Sequence, residues 1–323
     1  MFATVRSRAL AGNLLGDSAD RSVIVYLPPS YAVEPTRQYP VLYLLHGNTQ
    51  RNTVWVDGTF QGLTILDAMD SGISAGAVRE MVIVMPDAYN RYGGAHYVNS
   101  PVIGNWADFV TRDLVNFADR TYRTLPSAAS RGLAGFSRGG NGALRLALEF
   151  PDIYGAVYSM SGVTGYFDNR EYFDNTPFYR EDWERVLAAE NPAQAAERLP
   201  GLVGFAAAYS PNPNRPPLFV DFPFEVVNGK LQRVQSVWQK WHANDLEVLV
   251  ASRGTNLRRL RALRIDCGRS DEIVTRARLL TNALTQSGIR HIYEEFDGGH
   301  GNRNRWRVET KLLPFFSAAL AGQ

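Results

Sequence analysis

Cysteine is nearly absent: Cys267 is the one thiol in 323 residues. No intrachain disulfide and no cysteine-built metal site can therefore form. No run of apolar residues is long enough to span a bilayer. The stretch from Met1 to Asp20 also lacks an apolar segment of signal-peptide length. Since a leader removed earlier would leave no trace, localisation stays open: cytoplasmic as written, secreted or periplasmic otherwise. An excess of charge of one sign is missing too. Lys and Arg number 34 against 32 Asp and Glu, a net charge of +2, which gives no general grip on nucleic acid. A local basic cluster at Arg258, Arg259, Arg261 and Arg264 reads as a solvated face. Internal repeats and low-complexity tracts are absent as well.

What is present suits a core built from both strands and helices. Hydrophobic residues make up 45% and charged residues 20%, the balance of a globular protein. Short apolar runs alternate with helical patterns, which predicts a mostly parallel central sheet flanked by helices. The expected strands are Ser22–Leu27, Val41–Leu45, Met81–Met85, Arg131–Ala134, Gly155–Ser159, Leu263–Cys267 and His291–Phe296. The expected helices are Asn105–Tyr122, Gly140–Phe150, Glu272–Ser287 and Arg305–Leu320. In the first of these, Trp106, Phe109, Val110, Leu114 and Phe117 recur at helical spacing.

One connection breaks this rhythm. Between the strands ending near Ser159 and starting near Leu263 lies a stretch far longer than an ordinary loop. It is rich in aromatic residues (Tyr166, Phe167, Tyr172, Phe173, Phe178, Tyr179, Trp183). A proline-rich passage from Ser210 to Pro217 and a helical pattern around Val234–Trp241 follow. The expected organisation is a core of residues 1–162 and 258–323 with an insertion at 163–257. The insertion reads either as a lid over the site or as a packing buttress.

Two stretches match Gly-x-Ser-x-Gly: Gly135-Phe136-Ser137-Arg138-Gly139 and Gly72-Ile73-Ser74-Ala75-Gly76. A nucleophilic serine needs a sharp strand-to-helix turn, which lifts its hydroxyl clear of the sheet and aims the next amide at the reacting carbonyl. Ser137 has a buried strand before it and a helix pattern after it. Ser74 has the reverse and reads as a helix-to-strand turn. Serine also needs a base. His300, in the glycine-rich Asp297-Gly298-Gly299-His300-Gly301 past the last strand, has the expected place. His291, His242 and His96 have none, although His96 sits in a loop that could touch substrate. The acid should follow the strand Leu263–Cys267. Asp271 is favoured there, with Asp266 and Asp297 as runners-up. The two oxyanion donors are expected to be the backbone N–H of Arg138 and, in His46-Gly47-Asn48-Thr49, that of Asn48.

Five stretches, in this order, carry a resemblance. They are Tyr39-Pro40-Val41-Leu42-Tyr43-Leu44-Leu45-His46-Gly47, Val84-Met85-Pro86-Asp87, Ala134-Gly135-Phe136-Ser137-Arg138-Gly139-Gly140, Asp266-Cys267-Gly268-Arg269-Ser270-Asp271 and Gly298-Gly299-His300. The chain resembles the putative-esterase family of α/β-hydrolases, which includes S-formylglutathione hydrolases, feruloyl esterases and mycobacterial mycolyltransferases. The resemblance implies the α/β-hydrolase fold and a triad of Ser137, Asp271 and His300 that works without metal or cofactor on a small-molecule ester. The chain departs from the family in Arg138, where Met, Leu or Gln is common, and in lacking the histidine-rich ending of S-formylglutathione hydrolases. The expected activity is hydrolysis of a small to medium carboxylic ester, aromatic esters included. The alternatives are acyl transfer to an alcohol or sugar, and a non-catalytic binding protein on the same scaffold.

Overall fold

A computed structural model describes residues 1–163, 177–191, 194 and 198–322. Its centre is an eight-stranded sheet. The strands are β1 (Phe2–Arg6), β2 (Asp20–Tyr26), β3 (Val41–Leu45), β4 (Val82–Pro86), β5 (Arg131–Phe136), β6 (Ala156–Met160), β7 (Ala262–Gly268) and β8 (Ile292–Phe296). Their spatial order is β1-β2-β4-β3-β5-β6-β7-β8. Only β2 runs against its neighbours, antiparallel to both β1 and β4. The strands from β4 to β8 pair in parallel.

Burial on both faces explains why the central strands read as unbroken apolar runs. In β3, Val41, Tyr43 and Leu45 enter the core on one face, while Leu42 and Leu44 enter the core on the other. The helices covering the sheet include α1 (Ile65–Ser74), α2 (residues 106–121), α3 (Arg138–Glu149), α8 (Val274–Gln286) and α9 (residues 304–319). Both α2 and α9 carry a widened π turn, at Phe109–Asp113 and Val308–Leu312.

The expected strands match β2 to β8 to within two residues at either end. The structure adds β1, where only Val5 is buried, so its sequence shows no core face. Helix α3 begins at Arg138, earlier than expected, because the turn at Ser137 runs straight into it. No described helix is long and apolar enough to cross a membrane.

The long connection between β6 and β7 holds α4 (Pro177–Ala188), α5 (Pro200–Tyr209), a hairpin of Phe224–Val227 with Lys230–Arg233, α6 (Gln235–His242) and α7 (Leu246–Arg253). Aromatic rings hold it together. Trp183 meets Phe222 at 5.0 Å, and Trp241 stacks on Phe205 at 5.9 Å and on Trp238 at 6.4 Å. Several hydrogen bonds tie it to the sheet domain. The Ser100 hydroxyl donates to the Ala207 carbonyl at 2.5 Å, Tyr92 donates to Leu218 at 3.2 Å, and Arg145 on α3 bonds Asn244. The aromatic residues expected at Tyr166, Phe167, Tyr172 and Phe173 lie outside the described residues, as do the side chains of Phe178 and Tyr179.

Candidate active site

The chain crosses from β3 to β4 on one side and places β5 on the other. The ends of β3 and β5 therefore flank a switch point, and in open α/β sheets ligands bind outside the carboxyl ends of the strands at such a point. Ser137 stands at the end of β5. Its backbone has φ 54° and ψ −118°, a conformation a non-glycine residue adopts only when its surroundings impose it. Those surroundings are visible. The Ser137 N–H donates to Met160 on the neighbouring strand at 2.8 Å, and its carbonyl accepts from Asn141 at 3.0 Å. A Cβ on Gly135 would lie 2.3 Å from the Gly139 carbonyl carbon, and one on Gly139 would lie 2.4 Å from the Leu45 carbonyl oxygen. The two glycines thus permit a turn too tight for side chains. The N–H of Arg138 is the first of α3, at the positive end of that helix.

His300 brings two of the expected residues together. Its Nε2 lies 2.9 Å from the Ser137 Oγ, and its Nδ1 lies 2.8 Å from Asp271 Oδ2. Asp271 can only accept, so the Nδ1 carries the hydrogen and Nε2 is left to accept from the serine. The imidazole rests against the Phe136 ring at 5.1 Å. The Asp271 side chain is fully buried at the turn after β7, where its Oδ1 accepts from the Ile273 N–H at 3.2 Å. Burial opposes its charge. The hydrogen bond and charge of His300, the Ile273 N–H and the Ser161 hydroxyl outweigh this and hold its pKa below the ordinary value. The thiol of Cys267 is pushed up by burial and by the adjacent Asp271.

The runner-up Asp266 lies inside β7 and bonds the Tyr158 hydroxyl and Arg307 instead of His300. His96 is buried against Phe205 and Tyr209 and touches the Arg138 guanidinium. The Arg138 side chain lies over the Phe205 ring of α5 at 4.2 Å, so it packs against the connection between β6 and β7. His242 bonds Asp245 at 3.0 Å and His291 bonds the Ile289 carbonyl at 2.8 Å, both away from Ser137.

The loop after β3 is held by His46. Its Nε2 accepts from the Ala88 N–H at 2.8 Å, so its Nδ1–H donates to the Gly47 carbonyl at 2.9 Å. Burial lowers the pKa of this ring, consistent with the neutral form that pattern requires. In a trans peptide the C=O and N–H point opposite ways. The Asn48 N–H is thereby turned away from the His46 ring. The flanking N–H groups of Gly47 and Thr49 are engaged by Gln50 at 2.9 Å and by Gly93 at 2.7 Å. That of Asn48 makes no hydrogen bond among the described residues. Two residues beside the candidate triad, Ser161 and Arg307, escaped the sequence reading. Ser161 follows a strand with no motif around it, and Arg307 sits in a helix where an arginine reads as solvated.

A ferulic acid esterase structure superposes with a TM-score of 0.68 over 99% of this chain and 98% of that one, at 23% identity. An S-formylglutathione hydrolase from Staphylococcus aureus superposes with a TM-score of 0.60 over 98% of each chain, at 13% identity. The fold is that of the α/β-hydrolases. The chain belongs to the family described as "Putative esterase", whose model matches residues 18–311. Among curated proteins, Esterase Rv1288 of Mycobacterium tuberculosis is 34% identical over 145 residues, 43% of this chain and 28% of that protein. The endo-1,4-beta-xylanase/feruloyl esterase of Xylanibacter ruminicola is 30% identical over 148 residues, 43% of this chain and 19% of that protein. The matched stretch thus spans less than a third of either relative.

Proposed function

We propose that the chain is a serine carboxylic-ester hydrolase that works through an acyl-Ser137 intermediate. The observation that carries this is the continuous hydrogen-bonded line from Ser137 through His300 to the buried Asp271, at 2.9 and 2.8 Å. In this reading the Ser137 Oγ attacks the acyl carbon as its proton passes to His300 Nε2. Asp271 holds the ring and stabilises its positive charge. The N–H groups of Arg138 and Asn48 receive the developing oxyanion. The tetrahedral adduct collapses by expelling the alcohol, which takes the proton from His300. Water, deprotonated by the same nitrogen, then releases the acid and restores Ser137.

The substrate we infer is a small to medium ester with an aromatic or apolar acyl group. Two relatives are named for ferulic or feruloyl esters. The insertion at 163–257 is proposed as the lid that selects it. In support, α5 approaches the oxyanion loop so closely that a Cβ on Gly201 would lie 3.1 Å from Asn48 Nδ2. The test is a panel of acetyl, medium-chain and hydroxycinnamoyl esters assayed on the protein and on Ser137→Ala, with fluorophosphonate labelling. Hydrolysis and labelling that vanish in Ser137→Ala are expected. Activity that survives the substitution overturns the assignment.

A further inference from the structure

Arg307 on α9 is fully buried and pairs with the equally buried Asp266 of β7. Its Nε donates to Asp266 Oδ2 at 3.2 Å, and its Nη2 donates to Asp266 Oδ1. Taking two charges out of water is costly, and such a pair seldom gains stability over apolar residues of the same shape. Its reach is more telling. The guanidinium fork also donates to the His300 carbonyl at 3.4 Å, to Asn304 Oδ1 at 2.9 Å and to the Ser161 hydroxyl at 3.3 Å. Its guanidinium carbon lies over the rings of Phe296 and Phe136, 4.7 and 5.8 Å from their centres. Phe136 precedes Ser137, Phe296 ends the strand leading to His300, and Asp266 lies on the strand leading to Asp271. One side chain thus touches the segment that bears each member of the triad.

Ser161 adds to the pattern. It has φ 43°, and strain of that kind in a buried serine persists only where neighbours fix it. The neighbour here is Asp266, whose backbone carbonyl accepts from the Ser161 N–H at 2.9 Å. The Ser161 hydroxyl in turn helps to keep Asp271 ionised.

We propose that Arg307 is a positioning residue: its fork, anchored on Asp266, sets the His300 loop and the Ser161 turn in register with Ser137. This rests on the esterase reading. Lysine at this position keeps a positive charge for Asp266 but has no planar fork to reach the other partners. Arg307→Lys is therefore expected to fold and keep KM, while kcat falls between about tenfold and hundredfold, the range for reacting groups misplaced by a fraction of an ångström or more. The low-field proton resonance of the His300–Asp271 hydrogen bond should move upfield or broaden. Ser161→Ala deletes a single arm and should show a smaller change of the same kind, which keeps the test open if Arg307→Lys does not fold. A wild-type kcat and an unmoved resonance in either folded variant overturn the proposal. So does a kcat loss that only matches the unfolded fraction. A wild-type protein that neither hydrolyses esters nor takes up fluorophosphonate counts against the esterase reading alone, because the resonance still reports on Arg307.

Discussion

Two turns of this chain obey the same five-residue pattern and share almost nothing else. At Gly135–Gly139 a buried strand runs into a helix, and the serine between them is held at φ 54°. At Gly72–Gly76 a helix ends: Ser74 is the last residue of α1, Ala75 stays right-handed at φ −80° and ψ −2°, and Gly76 takes φ 69°. The glycines differ in purpose as well. Gly135 and Gly139 remove atoms that would collide with backbone. Gly76 faces open space and is needed only for its left-handed conformation. The pattern therefore carries chemistry only where the sheet end, the helix start and a histidine loop meet it.

The largest contrast should come from the serines. Ser137→Ala is expected to lower kcat by about four orders of magnitude or more, whereas Ser74→Ala should keep wild-type kcat and KM in the same ester assay. Ser137→Gly sharpens the point. It should be as inactive as the alanine variant yet about 1 kcal/mol more stable by urea denaturation, because glycine relieves the strained φ. Equal stability of the two variants would remove strain from the account of the turn.

Asp271→Asn should cost about four orders of magnitude in turnover, since the amide cannot stabilise the imidazolium and favours the wrong tautomer. Its stability should differ from wild type in a pH-dependent way. The Asp271 pKa is lowered in the folded protein, so its charge adds stability above the unfolded value of about 3.9. That contribution is lost as pH falls through the lower folded value. The Tm gap between wild type and variant should therefore narrow below pH of about 4. A gap that widens there contradicts the assigned direction.

The glycines give the smaller contrast. Gly139→Ala must push a Cβ against the carbonyl oxygens of Leu45 and His46. It is expected to cost about 3 kcal/mol and most of the activity, because the Arg138 N–H moves with it. Gly76→Ala should cost about 1 kcal/mol for its backbone conformation and leave the activity intact. Denaturation curves and ester turnover on the two variants check both.

The sheet was legible wherever strands are buried on both faces, because Val41–Leu45 and Val82–Pro86 leave no other reading. Strand β1 was not legible, since one buried valine among exposed neighbours shows no period. The π turns in α2 and α9 were equally hidden: one wider turn barely disturbs a helical spacing of apolar residues. Ser137 and His300 could be picked out as candidates because glycine marks both turns. Two aspartates five residues apart could not be separated so firmly. Only the length of β7, which runs on to Gly268, puts Asp266 in the sheet and Asp271 at its mouth. Arg307 was invisible because Asp266 and Ser161 reach it from distant parts of the chain, and nothing local distinguishes an arginine that points inward.

Cys267 offers a practical consequence. It is the one thiol of the chain, fully buried on β7 four residues before Asp271. The thiolate is the reactive form, and burial beside a carboxylate suppresses it. A maleimide or disulfide reagent should therefore modify the native protein only during openings that expose this strand. The modification rate becomes a clock for how often the floor of the acid turn comes apart. Since each chain carries a single thiol, the signal needs no deconvolution. A ligand that stabilises the closed site should slow the clock by the factor with which it favours the native state.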